Sequence, residues 1–222
     1  LGMNENFGDT MAAMGVVLVL SIVMTLVIIL LQYLLAGAVA GVNPFTALKN
    51  MLPAYFTALG TSSSAATIPV TYEATLKNKV EEEVAGFVVP LCATIHLSGS
   101  MMKITLYALS IVYMASLDIT SGQVVGFILL LGIMMIAAPG VPGGAIMAAV
   151  GLLQSNLGFD ESMVSLMIAS YIVVDSFGTA ANVTGDGAIA LIVNKLANGK
   201  IKGQQLNDEP SAAPASGSTA VQ

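Results

Sequence analysis

The sequence predicts an all-α membrane protein, built of transmembrane helices plus two re-entrant helical hairpins in an inverted repeat. Composition is the first observation. The chain has 222 residues, 56% hydrophobic and only 9% charged, with mean hydropathy +0.86, whereas soluble domains carry about 25% charged residues. Charge distribution is the second: no charged side chain occurs in 11–48 or in 119–159. Either block exceeds the ~20 apolar residues that span a bilayer as a helix. The third is that two of the five apolar segments are interrupted at their centres by serine, glycine and proline.

Residues 10–41 read as one long, tilted span, because nothing interrupts their apolar run. Leu1 stands directly upstream with no charged n-region or cleavage site. The chain is therefore expected to be a fragment of a larger protein, with 1–9 an extracellular lead-in. The next segment, 44–75, has Lys49 near its start and Lys77 and Lys79 beyond its end. Lysine-rich junctions belong on the cytoplasmic side, so this segment must enter and return. Gly60-Thr61-Ser62-Ser63-Ser64 supplies the turn.

Residues 81–117 form a span expected to unwind near Gly99, which stands among small polar residues in Thr94-Ile95-His96-Leu97-Ser98-Gly99-Ser100. The segment 120–157 breaks at Ala138-Pro139-Gly140-Val141-Pro142-Gly143-Gly144, too dense in helix breakers to continue. Such backbone is tolerated at membrane depth only beside protein or a watery cavity. It reads as a second hairpin, entering from the opposite face. A last span, 160–195, returns the chain to the cytoplasm, where 198–222, rich in Ser, Ala and Pro, reads as a disordered tail. Broken helices in inverted repeats mark secondary transporters, and 10–197 is expected to be a transport core in a multi-pass cell-membrane protein.

Asp175, Thr179, Asn182 and Asp186 carry the chemistry. Their spacing puts them within about 60° on one helix face over ~16 Å. Carboxylates inside a membrane helix are costly and face a cavity or partners. Two carboxylates and an amide oxygen suit a hard cation or the ammonium of an amino acid, while polar packing between helices is the plainer alternative. The Ser62–Ser64 run, between two half-helices, would offer backbone N–H groups and a positive dipole end to a carboxylate. His96 is the lone histidine, and such a residue is more often a hydrogen-bonded packing residue than a ligand. Lys103, seven residues on, can snorkel to water, carry a transported proton, or pair with Asp175 or Asp186. Pairing is favoured.

One cysteine, Cys92, and one histidine leave no disulfide and no conventional zinc or haem site. No cofactor is expected beyond a coupling Na+ or H+, and no nucleic-acid partner. An intramembrane protease is the alternative of another class. Asp175 and Asp186 lie eleven residues apart on one helix, too far to share a proton as a dyad does at ~3 Å. The rhomboid-like pattern fails because Ser63 follows Ser62 where a glycine is needed.

Ser62-Ser63-Ser64 with Thr67-Ile68-Pro69, Pro90-Leu91-Cys92-Ala93-Thr94-Ile95, Gly140-Val141-Pro142-Gly143 and Asn182-Val183-Thr184-Gly185-Asp186 occur in that order. Together they resemble the dicarboxylate/amino acid:cation symporters of the glutamate-transporter type, over about residues 10 to 195. The resemblance implies a C-terminal half whose N-terminal scaffold spans lie elsewhere, in a homotrimer whose transport domain moves like an elevator. It implies substrate contacts at Ser63, Ser64, Ser100, Asp175, Thr179 and Asn182, with Gly140 and Val141 closing the outer gate. Thr94, His96, Asn182 and Asp186 would bind the cation. The family's arginine for a side-chain carboxylate falls at Gly178, and the chain has no arginine. The family's Asn-Met-Asp-Gly-Thr is His96-Leu97-Ser98-Gly99-Ser100, and Lys103 is new. A small neutral amino acid is therefore the expected substrate, with Lys103 standing in for one cation. The alternative is an acidic or dicarboxylate substrate, held by Lys103 instead of the arginine.

Overall fold

The computed structural model describes residues 7–197, which form nine helices and no strand. The expected disordered tail at 198–222 and residues 1–6 of the lead-in lie outside the described residues. Helix α1, Phe7–Ala40, starts within the stretch read as lead-in and runs unbroken to Gly41, whose φ of 73° ends it. Its outward face, including Val16, Val19, Val23, Leu31 and Leu35, is exposed. An apolar face of this length suits lipid or other apolar helices.

A short helix not foreseen, α2 (Pro44–Asn50), follows. Asn43 caps it by accepting from the amides of Phe45 and Thr46, and Pro44 fills its first turn, where a missing N–H costs nothing. The first hairpin is α3 (Leu52–Thr61) and α4 (Ser64–Lys77), broken at Ser62 and Ser63. Ser62 is left-handed, with φ 49°, and Ser63 is extended. The ends meet: Asn50 Nδ2 donates to Asn78 Oδ1 at 2.8 Å and Asn78 Nδ2 to the Ala47 carbonyl at 3.1 Å. This closure brings the Lys49 end of the hairpin beside the Lys77 end.

The next span is α5 (Glu82–Ile95) and α6 (Ser98–Met114), interrupted at His96-Leu97. The unwinding expected near Gly99 lies at His96-Leu97, two to three residues upstream of it. Gly99 is helical, and its missing side chain serves packing, because a Cβ would sit 2.6 Å from the Gly178 carbonyl. The second hairpin pairs α7 (Ser121–Ile136) with α8 (Gly144–Leu157) across the Pro/Gly segment. Thr120 and Gln123 form a capping box at the start of α7.

Helix α9, Glu161–Ala197, is the axis of the molecule and touches α1, α3, α4, α5, α6 and α8. Its first half is buried along one face and exposes Ile172 and Val173 on the other. From Gly178 to Ala188 every residue is buried, as befits a helix enclosed on all sides. Glycines allow the approach: a Cβ on Gly187 would lie 2.7 Å from Met51 Cε and 2.8 Å from the Tyr33 hydroxyl. Two apolar cores flank this axis. One joins α6, α7, α8 and the first half of α9 around Leu131, Ile146, Leu153 and Met167. The other joins α1, α3, α4, α5 and the second half of α9 around Tyr33, Met51 and Val88. Among the described residues, three stretches are long and apolar enough to cross a bilayer: Met14–Ala40, Glu82–Met114 and Glu161–Ala197. The protein is an all-α membrane protein.

Candidate functional site

The two hairpin tips, the α5–α6 break and the buried face of α9 converge on one cleft. Ser64 comes from the first tip, Gly140 and Val141 from the second, Ser100 from α6, and Asp175, Thr179 and Asn182 from α9. The tips touch directly. Ser63 Oγ donates to the Gly140 carbonyl at 3.0 Å, and the Ala65 amide donates to the same oxygen at 3.1 Å. Ser63 also caps α4 by accepting from the Ala66 amide at 3.2 Å. Gly140 is required here, since a Cβ would run into the Ala93 carbonyl. Val141 is half-exposed at the tip.

Asp175 is 6% exposed, and its Oδ2 accepts from the Gly143 amide at 2.7 Å. The second hairpin is thus fastened across the carboxylate. Thr179 spends its hydroxyl on the Asp175 carbonyl, 3.1 Å away. The cavity left between these groups measures about 10 Å³, room for a single water. Anything larger than a water can enter only if this cleft opens.

Asn182 holds the unwound segment. Its Oδ1 accepts from the amides of Gly99 at 2.8 Å and Ser100 at 3.4 Å, and its Nδ2 donates to Ser100 Oγ at 2.9 Å. In a continuous helix those two amides would bond back to the carbonyls of Ile95 and His96. Turning to Asn182 instead, they leave the carbonyls of Ile95 and His96 without those helical donors. Asp186, 1% exposed, is one turn further along, and its Oδ1 lies 2.8 Å from His96 Nδ1. The Thr94 hydroxyl is not part of this cluster, being bonded to the Leu91 carbonyl on an exposed face.

Lys103 is fully buried. The expected contact ion pair with Asp175 or Asp186 is corrected: neither carboxylate forms a salt bridge with Lys103, and Asp186 pairs with His96 instead. The ammonium donates to the Val174 carbonyl and stands 5.8 Å from the centre of the Tyr171 ring, within reach of a cation–π contact. Because Gly178 lacks a side chain, the end of Lys103 occupies that side chain's place. A Cβ there would be 2.5 Å from Lys103 Cε and 2.9 Å from Nζ.

Sequence reasoning missed Gln32 and Tyr33. Gln32 Nε2 reaches His96 Nε2 and Ser98 Oγ, each at 3.1 Å, and the Tyr33 hydroxyl donates to the Thr184 carbonyl at 2.9 Å. Gln32 is the one amide side chain in residues 11–40, a signal available in the sequence.

Paired half-helices meeting a polar, fully enclosed helix define a polytopic membrane protein with an occluded polar site. The model of the sodium:dicarboxylate symporter family matches residues 3–196, and the chain belongs to that family. It is 34% identical to excitatory amino acid transporter 3 of Mus musculus over 168 residues, 75% of this chain and 32% of that protein. It is 31% identical to excitatory amino acid transporter 1 of Homo sapiens over 201 residues, 90% of this chain and 36% of that protein. The chain therefore spans about a third of the length of these relatives. Family membership sets aside the intramembrane protease alternative: the protein is of a symporter family and not an enzyme.

Proposed function

We propose that residues 10–197 are the transport core of a secondary active transporter that couples inward movement of a small amino acid to a cation gradient. The observation that carries this is the convergence of Asp175, Thr179 and Asn182 with both hairpin tips on one closed cleft. Asp175 takes the substrate ammonium in place of the Gly143 amide. The amides and hydroxyls at Ser63, Ser64 and Ser100 take its carboxylate. The coupling ion is held around Asp186, Asn182, His96 and the carbonyls that Asn182 exposes, with Thr94 contributing backbone only. The family name supports Na+ as that ion.

In this reading α3–α4 and α7–α8 are re-entrant hairpins entering from opposite faces, and residues 198–222 are cytoplasmic. The apolar outer face of α1 meets lipid and the N-terminal scaffold spans of a longer, homotrimeric protein in the cell membrane. The core moves against that scaffold as an elevator.

A neutral substrate is the first reading, because the chain has no arginine and the Lys103 ammonium is sealed from the cleft between Val174 and Tyr171. A specific observation favours a second reading. Lys103 fills the place of a side chain on Gly178, so a small rotation would offer its charge to an acidic amino acid or dicarboxylate. Uptake of radiolabelled neutral and acidic amino acids by the full-length parent in proteoliposomes, with and without a sodium gradient, separates the two. Sodium-driven uptake of a neutral amino acid supports the first, and of an acidic one the second. Equal uptake without any cation gradient would sink both.

A further inference from the structure

Among the buried polar atoms of the described residues, Gln32 Oε1 and Asp186 Oδ2 have no hydrogen-bond partner. They belong to one cluster. A Cβ on Gly185 would lie 2.5 Å from Gln32 Oε1 and 2.5 Å from His96 Cε1, and Asp186 Oδ1 is 2.8 Å from Nδ1 of the same ring. Gly185 thus lets an amide from α1 and the imidazole at the α5–α6 break meet against α9, with the Asp186 carboxylate bonded to the same ring.

The donor and acceptor pattern fixes the ring. An ionised carboxylate only accepts, so Nδ1 carries the proton towards Asp186. An amide NH2 only donates, so the Nε2 atom that Gln32 meets at 3.1 Å presents its lone pair. The same NH2 group donates to Ser98 Oγ at 3.1 Å. The amide oxygen is turned towards Gly185, while Asp186, the next residue on α9, keeps its own free oxygen buried. Two buried oxygens without a hydrogen donor are costly in an apolar interior. A monovalent cation is the partner that satisfies both, and protein oxygens are the ligands such a hard ion takes.

We infer that Gln32 of α1 belongs to the coupling-cation site, positioning His96 through its Nε2 and offering its Oε1 to the same monovalent cation as Asp186. This rests on the transport reading above. Every other site residue comes from the hairpins, α5, α6, α9 or the α5–α6 break. Gln32 alone ties the cation to the long lipid-facing helix, so cation occupancy bears directly on how α1 sits against α9.

The test compares the full-length parent with Gln32→Met, which keeps length and apolar fit but has no amide, and with Gln32→Asn, which keeps the amide on a shorter stem. Sodium binding is titrated calorimetrically on purified protein, and the His96 ring is read by 15N resonances after histidine labelling, assigned with His96→Asn. The expected result for Gln32→Met is a tenfold or greater rise in the sodium concentration for half-saturation. The ring nitrogens should shift from one fixed tautomer to a mixture, while substrate half-saturation at saturating sodium changes less than twofold. Gln32→Asn should recover part of both losses. Unchanged sodium half-saturation and an unchanged tautomer in Gln32→Met overturn the inference, and so does a parent that binds no sodium. Amino-acid uptake by the parent in either case leaves the transport reading standing, and its absence from the parent removes that reading instead.

Discussion

The ammonium end of Lys103 lies where a side chain on Gly178 would have to go, with Cε 2.5 Å and Nζ 2.9 Å from the position of a Cβ. Two residues on different helices, α6 and α9, therefore share one side-chain volume. Gly178→Ala should destabilise the protein by about 1–3 kcal/mol, the range for overpacking a filled interior. Combining it with Lys103→Ala should recover most of that loss, giving a coupling energy of the kind seen for residues in contact. Thermal unfolding of the four proteins in detergent measures it, and additive effects would show that the two residues do not compete for space.

The hairpins were legible because serines, prolines and glycines stand in the middle of apolar segments and have no other use there. The face of α9 was legible because Asp175, Thr179, Asn182 and Asp186 follow helical periodicity, and the structure buries all four. The position of the α5–α6 break was not. Gly99 suggested it, but that glycine is needed for contact with the Gly178 carbonyl, and the chain unwinds at His96-Leu97 because Asn182 captures the amides that would close the helix. The fate of Lys103 was also hidden. Spacing brings it near the carboxylates, but Gly143 already occupies Asp175 Oδ2 and the empty side of Gly178 is open. Gln32 went unnoticed because a single amide in a lipid-facing helix leaves no periodic pattern.

Ser63 does two jobs at the first hairpin tip, capping α4 through Ala66 and donating to Gly140. Ser63→Ala loses both. Cap loss alone costs about 0.5–2 kcal/mol, and the tip contact adds a hydrogen bond of about 0.5–1.5 kcal/mol. The expected outcome is a lower unfolding midpoint together with faster labelling of a cysteine introduced at Val141, reporting a tip that opens more often. An unchanged labelling rate would mean that the Ala65 amide holds Gly140 without help.

Asp160 begins α9 by accepting from the Met163 amide at 2.8 Å. That backbone hydrogen bond is the main cause holding its carboxyl below the ordinary value of 3.8, with Ser162 adding to it. A depressed pKa means the ionised form is the stabilising one. The contribution is complete above about pH 4 and disappears as pH falls through the lower folded value. Amide exchange at Met163 should therefore be protected at neutral pH and accelerate, relative to intrinsic rates, only below that window. Asp160→Asn should remove the pH dependence while keeping an acceptor for the cap.

Asp175 is the residue on which gate and substrate compete. Its Oδ2 accepts from the Gly143 amide at 2.7 Å with the second hairpin closed, and an incoming ammonium would need the same oxygen. Asp175→Asn keeps the size of the side chain and an oxygen for Gly143, so the fold and the closed gate should survive. What it removes is the charge. Hydrogen bonds to charged groups contribute about 1.5–3 kcal/mol, so substrate half-saturation should rise by roughly tenfold to a hundredfold or more. The unfolding midpoint should move little. Asp175→Ala takes away the gate's acceptor as well, and should add faster labelling at the second hairpin tip to the same loss of binding. If Asp175→Asn binds substrate as well as the parent, the ammonium is held elsewhere, and the carboxylate's service to Gly143 is its whole function.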